Sequence, residues 1–299
     1  MTLEVLTVGR VSVDLYPEQT GVSLAEVRTF RKLLGGSPTN VAVAAARLGR
    51  QAAVVTKVGD DPFGAYVRTA LAEFGVDASF VGTDPTLRTP LAFCEIHPPD
   101  DFPLLFYRQP TAPDLQLVEA DFAAAPVEEV PLLWVTGTGL SEEPSRSATL
   151  AALRRRGGRV HTVFDLDYRP MLWRDDPVPH YREAAALATV LVGNREEWEV
   201  LGEPPANVEL AIEKLGPEGV RGTRAGETAA VSPIAVEVVN GLGAGDAFGG
   251  ALCHALLAGW DLERTLRFAN AAGALVASRL GCADEMPSPD EVEELLCAV

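Results

Sequence analysis

Asn240-Gly241-Leu242-Gly243-Ala244-Gly245-Asp246-Ala247-Phe248-Gly249-Gly250 follows a β-branched run, residues 235–239 (AVEVV), and leads into a stretch of small residues. The run reads as a strand and the small-residue stretch as a helix, so a glycine turn feeds a helix N-terminus. Gly243 and Gly245 let backbone amides converge there, where the helix dipole also favours negative charge. Such a nest, Gly243 to Asp246, can hold the charge that develops on a transferring phosphoryl group. Asp246 falls in the first helical turn, where its carboxylate can face a nucleophile. The plainer alternative is a tight turn before a close-packed helix, with Asp246 as a cap. A dinucleotide fingerprint fits less well still, because Phe248 stands where GxGxxG needs its third glycine and no further βαβ unit follows. No GxxxxGK[ST] phosphate loop occurs either.

Outward from this turn, strand-like and helix-like runs alternate nearly throughout, which predicts a mostly parallel sheet covered by helices. Strands are expected at 3–9, 52–58, 131–136, 160–165 and 188–193, and helices at 38–49, 62–75, 244–259, 261–280 and 288–297. Two extended segments, 11–34 and 88–112, break the rhythm with scattered aromatics, and the turn PPDDFP at 98–103 makes the second a hairpin. They read as a small β-lid on a single α/β domain spanning 1–299. No repeat, low-complexity tract or linker divides the chain.

The formal charge of −17 argues against nucleic acid or an anionic membrane as partner. No apolar run approaches the ~20 residues of a membrane helix, and the opening residues run straight into a strand pattern rather than a leader. Four cysteines and four histidines are scattered without metal-ligand spacing, so a reduced, cytoplasmic protein is expected.

A second signal is Gly35-Gly36-Ser37-Pro38-Thr39-Asn40 before VAVAAARLG. Paired glycines let backbone approach a ligand. Asn40 supplies both a donor and an acceptor, which suits a polyol, and it suits a helix cap equally well. With this motif, the stretches Gly59-Asp60-Asp61-Pro62-Phe63-Gly64, Asn194-Arg195-Glu196-Glu197, Gly216-Pro217-Glu218-Gly219 and GAGD occur in an order and spacing that resemble the ribokinase-like (PfkB) sugar kinases. The resemblance covers nearly the whole chain. It implies a three-layer α/β/α core with a β-lid, ATP and Mg2+, and phosphoryl transfer to a primary hydroxyl. By matching position, Asp246 is the base and Gly243, Ala244 and Gly245 form the anion hole. Asn194 and Glu197 organise magnesium and phosphate through water, with no direct protein ligand to the metal. Gly216, Gly219 and Asn270 border the nucleotide, and Asp14, Gly35, Gly36 and Asn40 bind sugar. Taken singly, Glu197 could be a solvated helix residue, Asn270 a polar position on a packed helix, and Asp14 a turn residue.

Arg108, after a lid strand, and Arg169, after a core strand, suggest a sugar acid, since guanidinium binds carboxylate in a bidentate way; pairing with surface acids is the alternative. The wording of GRVSVDLYP, CEIHPPDDFPLLFYR and DLDYRPMLW is similar to family members acting on keto-deoxy sugar acids. That similarity puts 5-dehydro-2-deoxygluconate of inositol catabolism first, with 2-keto-3-deoxygluconate and fructose as competitors. A catalytically silent sugar-acid-binding protein is the alternative of another class. A homo-oligomer is expected, as a dimer through the lid. Three departures bear on the nucleotide side and on ions. Asn240-Gly241 replaces an Asp-Thr pair that many members use near a monovalent cation. The crossover at 195–207 is lean, and VRGTRAGETAAVSP is a poor strand pair.

Overall fold

The computed structural model describes residues 2–298. The first half of the chain runs β1 (Val5–Val8), β2 (Ser12–Pro17), β3 (Phe30–Gly35), α1 (Ser37–Arg47), β4 (Ala52–Gly59), α2 (Pro62–Glu73), β5 (Val76–Asp77), β6 (Val81–Asp84), β7 (Leu91–Cys94) and β8 (Leu104–Tyr107). Then come β9 (Leu132–Thr136), α3 (Ser145–Arg156), β10 (Thr162–Asp165), α4 (Val178–Leu187), β11 (Val190–Asn194), α5 (Arg195–Leu201) and β12 (Leu210–Lys214). The chain closes with β13 (Val220–Arg224), β14 (Glu227–Val231), α6 (Ala244–Leu257), α7 (Leu262–Ala277) and α8 (Pro289–Ala298). Among the described residues no helix is long and apolar enough to cross a membrane.

The main sheet has the order β14-β13-β12-β11-β10-β9-β1-β4-β5, with β6 also on β4. All its pairings are parallel except β12–β13 and β13–β14. Period-two alternation divides its side chains between two cores. Val5, Val54, Trp134 and Val163 pack with α1, α6 and α7, whereas Leu6, Val55, Leu133 and Phe164 pack with α3 and α4. The result is the expected α/β/α sandwich.

Close helix contact on the first face depends on two glycines. A Cβ on Gly250 would lie 2.2 Å from that of Ala44, and one on Gly249 would lie 2.9 Å from Trp134. Their absence lets α6 settle onto α1 and the sheet, which brings the start of α6 over the start of α1.

The segments outside the main sheet form a four-stranded sheet, order β3-β2-β7-β8. One face buries Tyr16, Leu33, Cys94 and Ile96 with Cys282. The other carries edge-to-face aromatic pairs, Phe30–Phe93 and Phe93–Tyr107, with Tyr107 exposed.

Two local expectations are corrected. Residues 235–239 are not a strand, because the amides of Val239 and Asn240 bond to the carbonyl of Ala277 rather than to a neighbouring strand. Conversely, 220–231 does form a hairpin. Ala225 (φ 49°) and Gly226 (φ 85°) make a turn with both central residues left-handed, the kind that matches strand twist. The lean crossover is also sufficient, since the seven-residue α5 joins the parallel pair β11 and β12.

Candidate active site

The carboxyl ends of β1, β10, β11 and β12 deliver Arg10, Asp165, Asn194 and Lys214 to one edge of the main sheet, the usual place for a ligand in a parallel α/β sheet. Between this edge, the start of α6 and the four-stranded sheet lies a cleft of about 390 Å³.

Asp246 faces this cleft from the first turn of α6. Its carboxylate accepts hydrogen bonds from Ser37 Oγ at 2.7 Å and Asn40 Nδ2 at 2.8 Å, both in the first turn of α1. Burial raises its pKa from the ordinary aspartate value, and these two donors only partly offset that. Asn40 is buried, and its Oδ1 has no partner, so an acceptor is left over for a ligand. Asp14, on β2, accepts from Ser12 Oγ at 2.6 Å, and burial pushes its pKa up to about 6. The glycine pair explains how Asp14 fits. A Cβ on Gly35 would sit 2.1 Å from the Asp14 carboxylate, and one on Gly36 (φ 101°) would lie 2.4 Å from the carbonyl oxygen of Arg10.

Across the cleft, Asn194 and Glu197 cap α5 reciprocally: Glu197 N–H donates to Asn194 Oδ1 at 2.9 Å, and Asn194 N–H to Glu197 Oε2 at 2.8 Å. Glu197 is buried, not solvated. Its Oε1 accepts from Tyr168 N–H and Arg169 Nη1. Arg169 also pairs with Asp167 at 3.3 Å, and those two acids raise its pKa further. Asp167 itself is buried with φ 31°, a left-handed backbone that aspartate adopts more readily than most residues, and accepts from Thr138 Oγ1. Asp165 lies 3.9 Å from Lys214 Nζ, and its buried Oδ1 makes no hydrogen bond. Burial raises Asp165, while Lys214 pulls it back.

Beyond Lys214 opens a second cavity of about 650 Å³, walled by apolar residues such as Val220, Ile234, Val236, Phe248 and Ala274. Lys214, Gly216 and Gly245 border both cavities. Gly219 and Asn270 line the apolar one, Asn270 donating to the carbonyl of Ser232. Gly219 (φ 95°) admits no side chain, because a Cβ would lie 2.1 Å from the carbonyl oxygen of Val231.

Over residues 2–289 the chain matches the profile of the pfkB family carbohydrate kinases. It belongs to that family. A 5-dehydro-2-deoxygluconokinase from Halalkalibacterium halodurans is 33% identical, over 98% of this chain and 94% of the relative. One of the same name from Bacillus subtilis is 30% identical, with 98% and 95% covered. Among solved structures, an uncharacterized sugar kinase from Pyrococcus horikoshii in complex with ATP superposes with a TM-score of 0.86 at 29% identity, covering 97% of this chain and 99% of that one. As a pfkB carbohydrate kinase, the chain has the expected three-layer fold and the motifs that signalled it.

Of the residues singled out from sequence, Asp14, Gly36, Asn40, Arg169, Asn194, Glu197, Gly216, Gly243, Gly245 and Asp246 line the polar cleft. Ala244, Gly219 and Asn270 line the apolar cavity, and Gly35 backs Asp14. Arg108 does not reach the cleft. It is buried in an ion pair with Asp114, 2.5 Å from Nη2 to Oδ1, and Asp114 Oδ2 also takes the amide of Val11. A buried aspartate six residues along the chain needs a cation, and Arg108 supplies it. Residues that sequence reasoning passed over are Arg10, Ser37, Asp165, Asp167 and Lys214. Four of these five stand at or just past the carboxyl end of a parallel strand. The rule that drew attention to Arg169 would have found them.

Proposed function

We propose that this pfkB kinase transfers the terminal phosphoryl group of ATP to the primary hydroxyl of a keto-deoxy sugar acid, with 5-dehydro-2-deoxy-D-gluconate as first candidate. One observation carries the reading: Asp246 and the glycine turn stand where a polar cleft meets an apolar cavity. Sugar fits the polar side, where Asp14 and the free Oδ1 of Asn40 offer acceptors to hydroxyls. Adenine fits the apolar side, against Val236 and Ala274 near Asn270. The phosphates then pass the junction at Lys214, Gly216 and Gly245.

Asp246 accepts the hydroxyl proton as the oxygen attacks. The backbone amides of residues 243–246 stabilise the charge spreading over the transferred group, and the Lys214 ammonium, 3.4 Å from where a Cβ on Gly245 would lie, adds to it. Magnesium, when bound, neutralises phosphate charge. Among the described residues no three acids or histidines gather as a metal cage. The Oδ1 of Asp165, which makes no hydrogen bond and has the Lys214 ammonium at 3.9 Å, would fit a site in which magnesium keeps several waters. Asn194 and Glu197 would reach it only through water. The four-stranded sheet serves as the lid, and its exposed outer aromatics suit a homodimer.

The test is ATP turnover on 5-dehydro-2-deoxygluconate, 2-keto-3-deoxygluconate and fructose, beside calorimetric binding of each. The first should give the highest kcat/KM. A preference for fructose would overturn the sugar-acid reading, and binding without any turnover would make the chain a silent sugar-acid-binding protein.

A further inference from the structure

The cleft is crowded with negative charge: Asp14, Asp165, Asp167, Glu197 and Asp246 line it, against only Arg10, Arg169 and Lys214. A carboxylate substrate needs a cation not already committed to these acids. Arg169 is committed, with Nη2 on Asp167 and Nη1 on Glu197 and on the carbonyl of Tyr168. Lys214 sits at the phosphate junction beside Asp165. Arg108 lies outside the cleft in its pair with Asp114.

Arg10 differs from all three. It is buried at the cleft wall, and its nearest carboxylate, Asp167, is 3.6 Å from Nη2, a looser pair than those of Arg169 and Arg108; its buried Nε has no hydrogen-bond partner, a trait it shares with Arg108. Phe106 of the four-stranded sheet lies 5.5 Å from the guanidinium carbon. An aromatic face can carry the plane of a guanidinium while its N–H edge stays open. The backbone around it is fixed: the Arg10 carbonyl accepts from Thr39 Oγ1 at 3.1 Å, and the Val11 amide donates to Asp114 at 2.8 Å. Gly36 gives that carbonyl its room. Arg10 is therefore a held cation with an orphaned donor, on the same side as Asp14 and away from the nucleotide cavity.

We infer that Arg10 binds the substrate's carboxylate and so decides between sugar acids and neutral sugars. The inference rests on the sugar-acid reading above. The bond would engage the terminal nitrogens, since Nε is itself buried, in the paired planar geometry that lysine cannot reproduce.

Arg10→Met and Arg10→Lys are compared with the natural enzyme by calorimetric affinity and by kcat, on 5-dehydro-2-deoxygluconate and on fructose. Loss of a charge-assisted hydrogen bond should weaken the acid by roughly ten- to a hundredfold in Arg10→Met, with fructose affinity and kcat changed far less. Arg10→Lys should lose part of the acid preference, and it keeps a positive charge beside Asp167 should the methionine variant fail to fold. Equal weakening of acid and fructose, or an unchanged acid preference in both variants, overturns the assignment while leaving the sugar-acid reading intact. A natural enzyme that neither binds nor phosphorylates any sugar acid removes that reading itself, and the inference with it.

Discussion

The two cavities share a wall and almost nothing else. The polar cleft is built from the ends of central parallel strands and the first turn of α1, and it gathers five carboxylates around three cations. The apolar cavity is built from the edge hairpin, the extended run 233–238 and the flanks of α6 and α7, and only a few polar groups enter it. Charged groups brought together away from water need tight mutual support, and the centre of a sheet supplies the rigidity. A flat aromatic ring needs shape more than charge, and irregular edge segments supply that. Damage to one side should therefore leave the other measurable.

The largest effect is expected at the junction. Asp246→Asn keeps the shape of the side chain but removes the proposed base, so turnover should fall by ~10²–10⁴. Nucleotide and sugar affinities, measured by calorimetry, should stay near those of the natural enzyme. The pH profile sharpens the point. Burial raises the pKa of Asp246, and only its ionised form can accept a proton, so kcat/KM should fall toward acid pH with a midpoint above the ordinary aspartate value. That acid limb should disappear in the variant's residual activity. Near-normal turnover in Asp246→Asn would break the assignment.

Ala274→Phe tests the apolar side. A misfit of one methylene in an apolar binding pocket is worth about 1–3 kcal/mol, so the KM for ATP should rise by roughly five- to a hundredfold or more while sugar affinity holds. A matching loss of sugar affinity would mean that the two cavities are not separable.

How much of this was open to sequence reasoning follows from range. The main strands and helices were legible because apolar period and cap residues are local: Asp61 caps α2 and Asp261 caps α7 through their own side chains, as expected for aspartate before a helix. The glycine turn and Asp246 were legible for the same reason. Arg108 misled because its partner, Asp114, is buried only once the chain folds back to take the amide of Val11. Residues 235–239 misled because β-branched composition does not say whether a strand has a neighbour to pair with. Arg10 stands just past the end of a parallel strand, as Arg169 does, but its importance appears only when the neighbouring cations are seen to be engaged.

Asp14 gives a smaller effect, read as stability. Its pKa of about 6 in the fold exceeds the ordinary aspartate value, so the folded state holds the extra proton between about pH 4 and pH 6. Stability attributable to this group is then lost as pH rises through that window. Asp14→Asn escapes the burial of charge and should be more stable than the natural enzyme by on the order of 3 kcal/mol near pH 8. The gap should shrink toward pH 4, although sugar affinity falls throughout. Thermal melts of both proteins across that range would decide it, and a variant less stable at every pH would remove the charge argument.

The smallest effect concerns potassium. Asn240 is fully buried behind the glycine turn; its Nδ2 donates to the carbonyl of Leu280 at 2.7 Å, and its Oδ1 accepts the amide of Leu242 at 3.0 Å. Both ends of the amide are engaged, and no net charge is present there to attract a cation. Exchange of sodium for potassium at constant ionic strength should therefore leave kcat nearly unchanged. Asn240→Asp sharpens the argument. The carboxylate could not donate to Leu280, and two buried oxygens would face one another without a proton or a cation between them. That variant should lose stability in sodium and regain part of it in potassium, the ion bridging the two oxygens. A large potassium activation of the natural enzyme, or an Asn240→Asp variant indifferent to both ions, would show that this loop does not govern the ion response.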